Sequence, residues 1–259
     1  MEVFILSIKF NNFMNSNDNI NVIDEKGVFT VFEHLQDLSV NPNTAETKYY
    51  MAQMDCTAKQ ILIKLDNNAV RLKPGAMQMI VGNIQQTTGV TGVGDLVAKG
   101  IKSKMTGDAA IKPLYKGTGC VITEPTYRFP IIVNVDDWDG AIVCDDSMFL
   151  CCDDELKDKV VARSNLSSAV FGKEGFFNLC LEGSGYAVLQ SNHPINELYE
   201  IILNNDIIKI DGNNAVCWSK SLQFSTERSG KTLIGSAASG EGLVNVFRGT
   251  GRLLVAPIL

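Results

Sequence analysis

From residue 47 onward, short apolar runs alternate with polar clusters rich in Asn, Asp and Gly. Ile61–Leu65, Ile131–Val135, Ala141–Cys144, Met148–Cys152, Phe176–Leu181, Leu198–Leu203, Ile207–Ile210 and Leu253–Val255 are such runs. Their length, their Val, Ile and Phe content and their turn-forming borders predict successive β-strands. Asp139-Gly140 and Asp211-Gly212 can take the positive φ angles that tight hairpins require. Too little chain lies between most runs for βαβ crossovers, so the pattern predicts an all-β fold, not a doubly wound sheet.

The runs also recur. Gly117-Thr118-Gly119, Gly183-Ser184-Gly185 and Gly249-Thr250-Gly251 each lead into an apolar strand, and Gly117, Gly183 and Gly249 are spaced 66 and 66 residues apart. A second landmark, a polar turn feeding an apolar run, starts at Asp145 and again 66 residues later at Asp211. An earlier copy is expected at Asp66-Asn67-Asn68-Ala69-Val70. Two landmarks in one register predict three pseudo-repeats. A strand, not a helix, follows each Gly-x-Gly and no third glycine completes a dinucleotide fingerprint, so these glycines are expected at bulges or close backbone approaches. Glu241-Gly242 parallels Glu174-Gly175 and is read as a turn or inter-strand element.

An insertion from about Thr87 to Ala110 interrupts the first repeat. Within it Val97, Ile101 and Met105 form one stripe of a short helix, with Asp95 at its N-terminal end and lysines in its later turns. Residues 1–46 form an accessory N-terminal segment, a strand plus a short helix around Val31–Leu38, before the repeated domain of 47–259.

Composition narrows the chemistry. Twenty-three basic and 29 acidic side chains give a net charge of −6, which argues against binding that depends on neutralising many phosphates. Seven cysteines, an odd number with no Cys-x-x-Cys pair, sit mostly in strand-like runs. They read as reduced, buried thiols. The N-terminus carries an acid where a signal peptide needs positive charge, and the first arginine is Arg71, so a cytoplasmic location is expected. Only His34 and His193 are present, far apart and without ligand spacing, so no metal, nucleophile or cofactor site is expected. The acidic runs Asp136-Asp137-Trp138-Asp139 and Asp153-Asp154-Glu155 read as solvated turns, since neither matches a calcium loop.

The run Ser239-Gly240-Glu241-Gly242-Leu243-Val244-Asn245-Val246-Phe247-Arg248-Gly249-Thr250-Gly251 resembles the hallmark of the altered-inheritance-of-mitochondria protein twenty-four family. Leu72-Lys73-Pro74-Gly75-Ala76-Met77, the glycine-rich insertion, Gly117-Thr118-Gly119 and the Asp211 turn match as well, so the resemblance spans about 47–259. It implies a β-sandwich built by pseudo-repeat, similar to the fold of the tryptophan RNA-binding attenuation protein, and supplies no catalytic residues. With no transit peptide, the chain reads as a bacterial, cytoplasmic member.

Two function classes follow. The first is a non-enzymatic structural or scaffolding module acting through self-association, a homo-oligomer, because repeated sheets leave edges that must be paired or covered. The second is a binding module using the basic segment 95–116, with Leu96, Val97, Lys99, Ile101, Lys102 and Lys104 as its interaction surface. It would contact an anionic membrane surface, a protein partner or, least in keeping with the acidic total, RNA.

Overall fold

Ile61 and Ile63 face one apolar cluster while Leu62, between them, faces another. That is the two-residue alternation of a strand buried on both sides, and it explains why the run reads as continuously apolar. The computed structural model describes residues 10–13, 16–88, 112–162, 177–211, 214–228 and 243–257. Their strands are β1 (Ile20–Lys26), β2 (Phe29–His34), β3 (Ala58–Leu72), β4 (Met77–Thr87), β5 (Leu114–Thr123), β6 (Phe129–Asn134), β7 (Ala141–Asp145) and β8 (Phe149–Asp153). The remainder are β9 (Lys157–Ala162), β10 (Phe177–Glu182), β11 (Tyr186–Ser191), β12 (Tyr199–Asp211), β13 (Ala215–Ser219), β14 (Gln223–Arg228) and β15 (Leu243–Val255). One α-helix, α1 (Ala45–Gln53), accompanies them.

The fold is all-β, in two antiparallel sheets. An eight-stranded sheet runs β1-β2-β3-β8-β11-β6, with β5 on β3 and β4 on β5; a seven-stranded sheet runs β12-β15-β13-β7-β10-β9, with β14 on β15. One core cluster draws on both, with Ile131, Phe149 and Leu189 from the first and Ile142, Leu181 and Cys217 from the second. This is the shared interior expected of packed sheets.

One pairing scheme recurs along the chain. A long first strand, continuous in β3 and β12 but divided into β6 and β7, pairs with the last strand of its unit: β5, β15, and β11 with β10. Each first segment bends at a non-glycine residue in the left-handed region: Asn67 at φ 57°, Asp139 at 56° and Asn205 at 51°. At two bends a hydroxyl from a glycine pair accepts the bending amide: Asn67 N–H donates to Thr118 Oγ1 at 3.1 Å and Asn205 N–H to Thr250 Oγ1 at 2.9 Å. The third hydroxyl, Ser184, donates to Asp136 Oδ2 at 2.9 Å.

Several expectations need correcting. No helix forms around Val31–Leu38: Phe29, Thr30, Val31 and Phe32 are all buried and pair with β3 as strand β2. Aromatic and β-branched residues buried on both faces favour the pleated surface. The helix lies later, at α1, where no residue is buried and Lys48 ties it to Asp37 at 2.8 Å and to Tyr127 Oη at 3.1 Å. Asp66-Asn67-Asn68 is no turn between strands but an irregularity inside β3. Leu198–Leu203 and Ile207–Ile210 fuse into the single strand β12, whose register shifts between Leu203 and Asp206.

Candidate functional site

The interaction residues expected in the insertion, Leu96, Val97, Lys99, Ile101, Lys102 and Lys104, lie outside the described residues, as do the expected helix, Glu241 and Gly242. Lys112, from the end of the basic segment, is described and turns inward. Its Nζ stands 3.6 Å from Asp146 Oδ1 and 3.4 Å from Asp158 Oδ2, and 5.1 Å from the Phe149 ring centre. Asp158 also receives Arg71 Nη1, while Arg71 Nε lies 3.4 Å from Asp154 Oδ1. Arg71 and Asp158 belong to different sheets, so the cluster clamps β3 to β9. Burial opposes ionisation of Asp158, but the charges and hydrogen bonds of Lys112 and Arg71 outweigh it and hold the carboxyl below its ordinary range.

The glycine pairs are held by different neighbours. A Cβ on Gly117 would stand 2.1 Å from Asn83 O, and one on Gly119 2.0 Å from Val81 O, both on the β4 backbone. On Gly185 it would meet Asp153 Oδ2 at 2.9 Å, and on Gly251 Ser221 Oγ at 2.8 Å. Gly183 and Gly249 have more room, 3.3 and 3.6 Å, but φ of 130° and 119°. The flanking acids are exposed, as expected of solvated turns, apart from half-buried Asp153, and two of them also brace the middle pair. Asp136 accepts from Ser184 and Gly185, and Asp153 accepts the Tyr186 amide at 2.7 Å.

Six of the seven cysteines are buried and Cys56 is exposed. Burial pushes the Cys152 thiol up to about 12 and the Cys180 thiol up to about 11, the reverse of an activated nucleophile. His193 is partly buried, with Nδ1 3.5 Å from Glu197 Oε2. His34 borders a cavity of about 470 Å³ between α1 and the end of β3. Gln60 donates from Nε2 to Thr123 O and to Gln78 Oε1, so its Oε1, 2.6 Å from His34 Nε2, must accept. His34 therefore carries a proton on Nε2. The relay orients the ring, and the exposed Cys56 lines the same cavity.

The feature that sequence reasoning missed is the free edge of β12. This strand of 13 residues pairs with β15 on one side and, among the described residues, with nothing on the other. Ile202 is 71%, Tyr199 59% and Ile207 46% exposed. Of the remaining edges, four carry conventional protection, with Asp24, Glu25 and Lys26 on β1, Pro130 on β6, Lys157 and Lys159 on β9 and Glu227 on β14, while β4 carries no charge. The signal was present, since Ile201-Ile202 and Ile207-Ile208 put apolar residues on both faces of a strand, where an outer strand needs only one.

The family described as Mitochondrial biogenesis AIM24 matches residues 50–258. An uncharacterized protein of Streptococcus pyogenes serotype M6 is 25% identical over 204 residues, 75% of this chain and 80% of that protein. A crystal structure of a Streptococcus pyogenes structural-genomics target superposes with a TM-score of 0.58 at 19% identity, covering 92% of this chain and 94% of that one. At that identity the likeness speaks for the fold.

Proposed function

The chain belongs to the Mitochondrial biogenesis AIM24 family, and on that premise we propose that it is a non-enzymatic structural module acting in the cytoplasm through self-association along the free edge of β12. The exposure of Ile202, 71% in the middle of a 13-residue edge strand, carries this reading. An edge strand presents a row of unpaired N–H and C=O groups, and apolar side chains beside them add a hydrophobic gain to any pairing.

The chemistry of the rest of the surface supports it. Buried thiols with raised pKa, a histidine fixed by an amide relay and acids spent on bracing turns leave little for acid–base or nucleophilic work. The competing reading, contact with an anionic surface, a protein partner or RNA through 95–116, loses Lys112 to its own acids, with the side chain 9% exposed.

Light scattering on the purified chain at micromolar concentration is the test. A mass of two or more 28.3 kDa chains is expected, and Ile202→Glu should reduce it to one without changing the far-ultraviolet spectrum. A monodisperse monomer for the parent chain sinks the proposal.

A further inference from the structure

The exposed residues of β12 change parity along the strand. Past Tyr199, which is exposed at the start of the strand, Glu200 and Ile202 are exposed while Ile201 and Leu203 are not; beyond the exposed bend 204–206, Ile207 and Lys209 are exposed while Ile208 and Ile210 are half-buried. In a regular strand, positions an odd number of residues apart point to opposite faces. Here the register shift between Leu203 and Asp206, with Asn205 in the left-handed region, inserts one extra residue. An inserted residue moves all later side chains to the other face. Glu200, Ile202, Ile207 and Lys209 thereby share one side of the sheet.

That row reads the same backwards with the charge inverted: acid, isoleucine, isoleucine, base. We infer that β12 pairs antiparallel with β12 of a second copy about a two-fold axis between Asn204 and Asn205. This rests on the self-association reading and specifies its partner and register. In that register Glu200 lies opposite Lys209 of the second copy, Ile202 opposite Ile207, and Asn204 opposite Asn205. The axis generates every contact twice, as an interface of a patch with itself must. The two seven-stranded sheets join into one continuous sheet, and the paired edges cover each other.

The uncharged edge strand β4 is a poorer partner. Within this chain β3 pairs with β8, setting Arg71 opposite Cys152, and β7 pairs with β13, setting Val143 opposite Trp218. Arg71, Val143 and Lys209 each lie four residues beyond a bend, and Ile80 precedes Cys152 by the same 72 residues by which Asn67 precedes Asp139. Docking β12 on β4 in that register puts Lys209 against Ile80, which packs in an apolar cluster with no acid in β4 to receive the lysine. Burying an unpaired ammonium is costly, whereas self-pairing gives it a carboxylate.

The test uses full-length chains in a Cys56→Ser background, which removes the exposed thiol. Directly opposed residues bring Cα atoms within about 5.5 Å, inside the range a disulfide spans. Mixed Ile202→Cys and Ile207→Cys chains should form a covalent dimer under mild oxidation. Neither variant alone should, since like positions lie five residues apart, roughly 16 Å. In parallel, Lys209→Glu should weaken dimerisation about tenfold or more, because two opposite-charge pairs become like-charge pairs. Glu200→Lys with Lys209→Glu in one chain should recover most of that loss. If the parent chain associates by light scattering but the cysteine mixture stays uncrosslinked and the double reversal does not rescue, this pairing is wrong while self-association stands. Cross-linking of Ile80→Cys to Lys209→Cys chains would likewise overturn it in favour of β4. A parent chain that is monomeric throughout removes both.

Discussion

Gly119 in β5 and Gly249 in β15 both lie in a Gly-Thr-Gly, yet they are held for different reasons. Gly119 is packed against the β4 backbone, with 2.0 Å between an added Cβ and Val81 O, whereas Gly249 has 3.6 Å to its nearest neighbour and only its φ of 119° to protect it. Gly119→Ala should therefore cost about 3 kcal/mol or more in a chemical denaturation, because a backbone must move, and Gly249→Ala about 1 kcal/mol. Equal losses at the two sites would show that φ alone decides. Thiol reactivity is a second consequence at this scale. With six cysteines buried and Cys56 exposed, a thiol-specific chromogenic reagent at neutral pH should modify one cysteine quickly in the native protein and all seven in denaturant. Fast reaction at more than one site would contradict the burial pattern.

Among the elements, β12 departs furthest from what its sequence suggests. Asn204-Asn205-Asp206 reads as a loop between two strands because Asn and Asp favour turns. The chain uses them instead to take one left-handed residue inside a continuous strand. Asn67 does the same in β3, which is why Asp66–Val70 resembles a turn leading into a new strand. Strand identity was legible wherever the apolar run was long: Ile131–Val135, Ala141–Cys144 and Met148–Cys152 fall on β6, β7 and β8. The two-faced apolar pattern of Ile201-Ile202 and Ile207-Ile208 was legible, but its place at an edge was not, because a sequence does not say which strand ends a sheet. Helix α1 escaped because its residues bury nothing, so no periodic apolar stripe marks it. For β12 itself, Ile202→Glu should leave the far-ultraviolet spectrum unchanged while dissociating the assembly, and its melting temperature should no longer depend on protein concentration. A changed spectrum would mean that Ile202 packs within its own chain.

For the whole molecule, the link between the two sheets should be acid-sensitive. Asp158 holds its pKa below the ordinary carboxylate range because Lys112 and Arg71 outweigh its burial. An acid with a depressed folded-state pKa contributes stability that is present above its unfolded value, near 4, and lost as pH falls through the folded value. Asp158→Asn should cost about 1–2 kcal/mol at pH 7, between the values for exposed and buried pairs. The parent and variant curves should converge once the pH has fallen below the folded-state value of Asp158. A difference that persists undiminished at that pH would assign the loss to packing. Beyond the single chain, the account stands on association through β12, and light scattering at micromolar concentration addresses it most directly. It predicts at least two 28.3 kDa chains for the parent protein and one for Ile202→Glu. A parent protein that elutes as a single 28.3 kDa species contradicts it.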